Sequence, residues 1–352
     1  NQSLLMDFLP ALIRWYREYQ RALPWRETSD PYAIWVSEVI LQQTRMAQGM
    51  EYYLRFLRRF PNVQSLAAAR EEEVLKIWQG LGYYSRARNM HAAARQIVLE
   101  RNGVFPPSFR ELQTLKGVGL YTAAAVASIA FREPVPAVDG NVNRVLARLF
   151  GIEEPLLTPG FVQRVWALAT SLTDPVRPDL SNQAWMELGA LVCTPRQPDC
   201  LSCPLQPGCV ACARGIQERL PVRLPKTGVR PRYLHYLVLS LQDSVFLRRR
   251  PQGDIWQGLF EFPLVETSQM ADLAGLMQHP EVSGWFDSQP WRVQGQPVCY
   301  RHRLTHQLLH VWFYEVKLTR MPRLPDEYIM VSRSSLDDYA IPRLIDKYLT
   351  EL

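Results

Sequence analysis

Five of the chain's six cysteines fall between residues 193 and 212, as Cys193-x6-Cys200-x2-Cys203-x5-Cys209 with Cys212 just beyond, while Cys299 stands apart. No other feature restricts the fold as much. A run of thiols this dense must turn back around a common centre, and Pro195, Pro198, Pro204 and Pro207 between them prevent a helix. Clustering of this kind points to a metal rather than to disulfides. Zinc ribbons usually present two separate CxxC knuckles. Here the spacing is uneven within one continuous loop, which favours a 4Fe-4S cluster over a tetrahedral zinc. Cys212 makes a competing CxxC with Cys209, so the residues alone leave the fourth ligand open. Arg196 and Arg214 make the loop basic, able to lie along a phosphate backbone. Structural support and redox sensing are both compatible with that placement.

At 352 residues the chain is about twice the common domain size, so two domains are expected. A composition 47% hydrophobic and 21% charged is that of a globular protein. No stretch approaches the roughly 18 apolar residues of a membrane span, and the N-terminus lacks the basic-then-apolar pattern of a secretion signal. The expectation is a cytoplasmic protein with no membrane partner. The formal charge of +6 is concentrated early, with 25 basic against 20 acidic residues before Leu224 and 15 against 14 after it. That excess suits a polyanion, although many proteins that never meet nucleic acid are equally basic.

From Leu4 to about Leu191 apolar residues recur at three- and four-residue spacing, broken at Pro or Gly, and helices are expected over Tyr32–Met46, Glu72–Gln79 and Ser85–Glu100. Residues 220–231 (Leu-Pro-Val-Arg-Leu-Pro-Lys-Thr-Gly-Val-Arg-Pro) cannot hold a helix and read as an extended linker. Beyond it, Tyr233–Leu241 and His310–Leu318 are rich in β-branched and aromatic residues in partial alternation. The expected organisation is a mostly helical domain over 1–213, a linker over 214–232 and a mixed α and β domain over 233–352.

Glu111–Leu115 and Tyr121–Ala130 are helical and separated by a short Lys116-Gly-Val-Gly-Leu segment, which makes a helix-hairpin-helix spanning about 107–132. Gly117 and Gly119 permit a tight turn and leave backbone N–H groups uncovered at the next helix N-terminus, where a phosphate can be held. An ordinary helix connection is the plainer alternative.

The hairpin, the downstream Val138-Asp-Gly-Asn-Val-Asn-Arg144 and the four-cysteine loop occur in the order seen in the endonuclease III superfamily, which the chain resembles over nearly all of residues 4–210. Two strings narrow the resemblance, Val36-Ser-Glu-Val-Ile-Leu-Gln-Gln-Thr44 and Asn182-Gln-Ala-Trp-Met-Glu-Leu-Gly-Ala190. Both are similar to those of MutY-type adenine DNA glycosylases. The resemblance implies base-excision repair of duplex DNA in which adenine faces 8-oxoguanine or guanine, and a bacterial, nucleoid-associated setting. It also implies one 4Fe-4S cluster on Cys193, Cys200, Cys203 and Cys209, leaving Cys212 as a spare thiol.

The chemistry can be built beside the name. Breaking the bond from a purine to deoxyribose leaves positive charge on the sugar and negative charge on the base, so one acid and one anion are needed. Glu38 lies in the apolar run Ile34-Trp-Val-Ser-Glu-Val-Ile-Leu, where burial would raise its pKa and keep a proton for adenine N7. Asp139, at the start of a helix, would stay ionised and stabilise or trap the oxocarbenium ion. A solvent-facing Glu and an N-cap Asp are the ordinary readings of such carboxylates. The family match assigns both to the catalytic pair, with Asn141 ordering the site.

In lyase members of the superfamily a lysine stands after the hairpin. Here that position is Tyr121, which has no amine for a Schiff base, so a monofunctional glycosylase is expected. Adenine must leave the duplex to be cut, and something must fill the gap. Gln43, with Thr44 beside it, and Tyr83 match the wedge positions, and Arg26 and Gln183 resemble residues of the adenine pocket. Surface or core packing is the alternative for each.

Gly253–Pro263 resembles the strand-turn-strand of the Nudix-like domain that ends this family. No magnesium-binding Nudix string follows Pro263, so the domain is expected to recognise rather than hydrolyse. The family reads 8-oxoguanine with a Phe-Ser-His loop. The corresponding Leu304-Thr305-His306 keeps a hydroxyl but loses the ring, which makes lesion preference less secure than adenine excision. A monomer is expected. The rival readings are a pyrimidine-directed glycosylase and lyase, and a non-catalytic DNA sensor bearing the cluster.

Overall fold

The computed structural model describes residues 2–225, 228–286 and 291–351. The helices of the first part are α1 (Gln2–Tyr19), α2 (Pro31–Leu41), α3 (Met46–Arg59), α4 (Val63–Ala68), α5 (Glu71–Trp78), α6 (Ser85–Arg101), α7 (Phe109–Leu112), α8 (Leu120–Ala130), α9 (Gly140–Leu149), α10 (Pro159–Leu172), α11 (Pro178–Leu191) and α12 (Val210–Arg214). Then come β1 (Arg230–Leu241), β2 (Ser244–Arg249), β3 (Phe260–Glu261), β4 (Leu264–Thr267), α13 (Leu273–Met277), α14 (Pro280–Ser283), β5 (Trp291–Arg303), β6 (Gln307–Leu318), β7 (Tyr328–Ser332) and α15 (Arg343–Thr350). Residues 1–68 with 89–225 form one compact unit, and residues 69–88 with 226–352 form the other. The sequence reading placed 69–88 in the helical domain; the contacts group it with the second unit instead.

In the helical unit, α2 starts because Pro31 presets the first turn and the Asp30 carboxylate caps the Tyr32 N–H at 3.0 Å. Every residue from Tyr32 to Ile40 is buried, so the helix is apolar all round and lies inside the unit. It ends at Leu41, earlier than the expected Met46, because Gln43 takes a left-handed backbone with φ +58°. Against it runs α8, whose buried Ala123, Ala124, Ala125 and Ala127 let two backbones approach closely. A separate core joins α1, α9, α10 and α11 through Leu12, Tyr16, Leu146, Phe161, Trp185 and Leu188. The presumed linker is partly docked, since Leu220 is buried and Leu156 donates its N–H to the Val222 carbonyl at 2.7 Å.

The second unit is built on a seven-stranded sheet ordered β3-β2-β1-β6-β5, with β4 also paired to β1 and β7 to β2. The β1–β6 pair is parallel and the others are antiparallel. Its central strand β1 is buried on both sides, which explains its continuous apolar run. Leu234, Tyr236 and Val238 enter the core beneath α15, and Leu237 and Leu239 enter the core beneath α13 and α14. Gly253–Pro263 is mostly turn, with only Phe260–Glu261 as strand. The reason is charge: Glu261 is fully buried between Arg248 and Arg250, while Arg232 and Arg250 both hold Asp254, so ion pairs order the segment more than a strand ladder does. Among the described residues no helix is long and apolar enough to cross a membrane.

Candidate functional site

The helical unit contains a cleft of about 850 Å³ lined by residues from α2, the hairpin, α9 and α11. Glu38 stands in its wall, 9% exposed, and its carboxylate accepts a hydrogen bond from the Tyr121 phenol at 2.5 Å. The Met186 sulfur lies 3.3 Å from the same phenol oxygen. Burial raises the Glu38 pKa to about 7. The Tyr121 hydrogen bond opposes that rise, the neighbouring Asp139 charge adds to it and Arg26 opposes it.

Asp139 faces the same cleft as the N-cap of α9. One carboxylate oxygen accepts from the Val142 N–H at 2.7 Å and the other from the Asn141 side-chain amide at 2.7 Å. Burial pushes its pKa up, against those hydrogen bonds and the Arg144 charge. Arg144 extends the constellation: its guanidinium donates to Asn141 Oδ1 at 2.8 Å, to the Gly189 carbonyl at 2.8 Å and to the Cys193 carbonyl at 2.7 Å. Arg26 and Gln183 also line the cleft. Arg26 is held by Glu187, which also takes Arg21, and Gln183 accepts from the Tyr16 phenol at 3.0 Å. Sequence reasoning quoted Glu187 and Arg144 inside motifs but assigned them nothing. Their signal was an acid four residues after Gln183 on one helix face, and a base three residues after Asn141.

Cys193, Cys200, Cys203, Cys209 and Cys212 all line one small cavity, closed on another side by Arg148. Arg148 donates to the Cys193 sulfur at 3.4 Å and to the carbonyls of Thr194 and Pro195. Burial and mutual repulsion of the charged forms push the Cys200 thiol up to about 11 and the Cys203 thiol up to about 12. Among the described residues no three ligand side chains gather as the donors of a single ion. The five thiols on this cavity, set among Arg148, Val192 and Pro198, supply the soft sulfur donors of a cluster.

In the hairpin, Gly117 has φ +73°, and a Cβ there would meet the Asn89 side chain at 2.5 Å. Gly119 is the N-cap of α8, and a Cβ there would meet nothing within 4 Å. The turn is thus required by Gly117 and left open to an approaching group by Gly119. Gln43 is exposed at the rim of the cleft with Thr44 beside it. Tyr83 lies in the second unit, 52% exposed, with φ +47°. There its phenol lies 2.8 Å from the Thr305 hydroxyl, on the turn Leu304-Thr305-His306 that joins β5 to β6. Both residues line a second pocket of about 570 Å³, together with Trp256, His302 and His306.

The family described as HhH-GPD superfamily base excision DNA repair protein matches residues 36–161, and the NUDIX domain family matches residues 235–351. The adenine DNA glycosylase of Mus musculus is 37% identical, the match covering 89% of this chain and 69% of the mouse protein. That of Buchnera aphidicola strain Bp is 30% identical over 86% of this chain and 84% of its own. The Homo sapiens adenine DNA glycosylase is 46% identical over 60% of this chain, which spans only 41% of the human protein's length. The helical part also superposes on the structure of a thermostable thymine-DNA glycosylase, with a TM-score of 0.55 and 26% identity, covering 60% of this chain and 98% of the other. Relatives at this identity across most of both chains, with a helix-hairpin-helix domain and a Nudix-like domain in that order, place the chain in the family of MutY-type adenine DNA glycosylases.

Proposed function

We propose that the protein hydrolyses the N-glycosidic bond of adenine placed opposite 8-oxoguanine or guanine in duplex DNA, as a first step of base-excision repair, without cutting the strand. The observation that carries this reading is the buried Glu38 carboxyl, titrating near 7 in the same cleft as Asp139. An acid poised there holds its proton at neutral pH and delivers it to N7 of a purine. The C1′–N9 bond then breaks with its electron pair leaving on a neutral base. The Asp139 carboxylate, oriented by Asn141 and the Val142 N–H, faces the positive charge left on the sugar. Water adds at C1′ and returns a proton to a carboxylate, which resets the acid. Arg26, fixed by Glu187, and Gln183 hold the extruded adenine.

Tyr121 occupies the place where a lyase carries an amine, so the reaction ends at the abasic site. Cys193, Cys200, Cys203 and Cys209 would hold one 4Fe-4S cluster, which when bound pins the basic loop along a phosphate backbone. Gly117 and Gly119 offer backbone N–H groups to a second phosphate, Gln43 and Tyr83 fill the gap, and Thr305 with His306 reads the base opposite. The test is single-turnover cleavage of duplexes carrying adenine opposite 8-oxoguanine, adenine opposite guanine, or thymine glycol, with alkali used to reveal abasic sites. Alkali-dependent loss of adenine, fastest opposite 8-oxoguanine, is expected. Alkali-independent cutting at thymine glycol would instead move the protein to the lyase branch.

A further inference from the structure

The residue at the rim of the cleft, Gln43, sits on a defined turn. After α2 ends, the Thr44 N–H donates to the Leu41 carbonyl at 3.2 Å, Gln42 has φ −57° and ψ 115°, and Gln43 has φ +58°. Those angles make a type II turn with Gln43 at its left-handed corner. The side chain before that corner reaches inward: the Gln42 amide donates to the Thr122 hydroxyl of α8 at 3.0 Å. Thr122 is 3% exposed, so its hydroxyl is a fixed point in the wall. The turn is braced on its other side as well. The Thr44 hydroxyl donates to the Gln42 carbonyl at 3.3 Å, and a Cβ on Gly49 would meet the Leu41 side chain at 2.6 Å, so the start of α3 packs closely on the turn.

Gln42 follows Glu38 by four residues and so falls on the same side of α2, and Thr122 follows Tyr121 on α8. Two hydrogen bonds therefore join the helices, Tyr121 to Glu38 and Gln42 to Thr122. We infer that Gln42 is a positioning residue that sets the wedge Gln43 at a fixed height relative to the acid Glu38, without itself touching DNA. The inference rests on the wedge and acid roles proposed above. A neutral hydrogen bond adds little net stability to the fold, but this one selects a single placement of the turn, so the left-handed corner is already ordered before DNA arrives.

The experiment follows opening of the duplex and adenine release separately in the full chain. A duplex with adenine opposite 8-oxoguanine carries 2-aminopurine beside the adenine, which brightens when the stack opens; alkali cleavage of the same duplex reads release. The variants are Gln42→Leu, Thr122→Val, the two combined, and Thr122→Ser, which keeps the hydroxyl. Gln42→Leu and Thr122→Val are each expected to lower the opening equilibrium about five- to tenfold. The combined variant should lose no more than either alone, Thr122→Ser should open the duplex as the unaltered protein does, and the pH limb set by Glu38 should stay near 7 in all of them. Melting temperatures of the same preparations show whether each variant folds, and Thr122→Ser decides the case if Thr122→Val does not. Loss in Gln42→Leu alone would mean that Gln42 acts on the DNA directly, and normal opening in both single variants would mean that the bond places nothing; either result overturns the inference, as does loss in Thr122→Ser. An unaltered protein that leaves the stack closed, releases no adenine and cuts at thymine glycol overturns instead the wedge and acid roles on which it stands.

Discussion

Glu38 sets the pH behaviour of the cleft. Its folded pKa of about 7 lies above the ordinary 4.5, so its favourable contribution to stability is complete below pH 4.5 and is lost as pH rises through about 7. Adenine release in single turnover should fall along the same limb, about tenfold per unit of pH above 7. Tyr121→Phe removes a hydrogen bond that holds the Glu38 pKa down, so the limb should move to higher pH even as the maximal rate drops; a limb that stays put or moves lower would separate Tyr121 from the acid. Glu38→Gln and Asp139→Asn should each abolish excision and leave duplex binding unchanged, which gel-shift and cleavage assays on the same preparations distinguish. Glu187 works with the opposite sign. Its pKa is lowered to about 2 by Arg21 and Arg26 against burial, so its contribution is present above pH 4.5 and lost as pH falls through about 2. Removing it by Glu187→Ala strands the largely buried Arg26 guanidinium and should cost about 3–5 kcal/mol in denaturant unfolding at pH 7.

The hairpin shows how one element separates folding from binding. Gly117→Ala meets both a left-handed backbone and the Asn89 side chain, and should lower stability by about 1–2 kcal/mol from the backbone alone. Gly119→Ala meets nothing within the protein, so the melting temperature should hold, while the added methyl would hold a phosphate off the backbone N–H groups and affinity for duplex DNA should fall about tenfold. Equal effects on both measurements in both variants would refute this division. The helices were readable from periodicity because apolar spacing is a local property, and so were β1 and β6, where β-branched and aromatic residues run together. The early end of α2 was not readable, because it depends on one left-handed residue, Gln43, and an L side chain carries no mark of that choice. Nor was the short β3, since buried Arg–Glu pairing takes the place of apolar alternation there.

Across the whole chain, the site residues that depend on a fixed spacing were legible and those that depend on tertiary pairing were not. Glu38, Tyr121, Asp139 and Asn141 come from three separate segments, and the structure brings all four to one cleft. Arg144, joining Asn141 to the Cys193 carbonyl, makes contacts that no linear pattern encodes. The grouping of residues 69–88 with the second unit is another such case. Borohydride reduction during turnover should trap no covalent protein–DNA adduct, because the chain offers Tyr121 where a Schiff base would form; efficient trapping would count against the proposed reaction. Thr305→Ala should reduce the preference for 8-oxoguanine over guanine opposite adenine, read as the ratio of the two single-turnover rates, and an unchanged ratio would remove the β5–β6 turn from lesion reading.

Gln43 and Tyr83 share a property that bears on how such a chain evolves. Both are exposed, and both hold a backbone conformation that costs a non-glycine residue about 1–2 kcal/mol. A population selected only for heat resistance would relax these two positions early, replacing each with glycine or asparagine and gaining melting temperature as it did so. Selection for stability alone does not account for glutamine and tyrosine at these two positions, and laboratory evolution without DNA damage should erase them first.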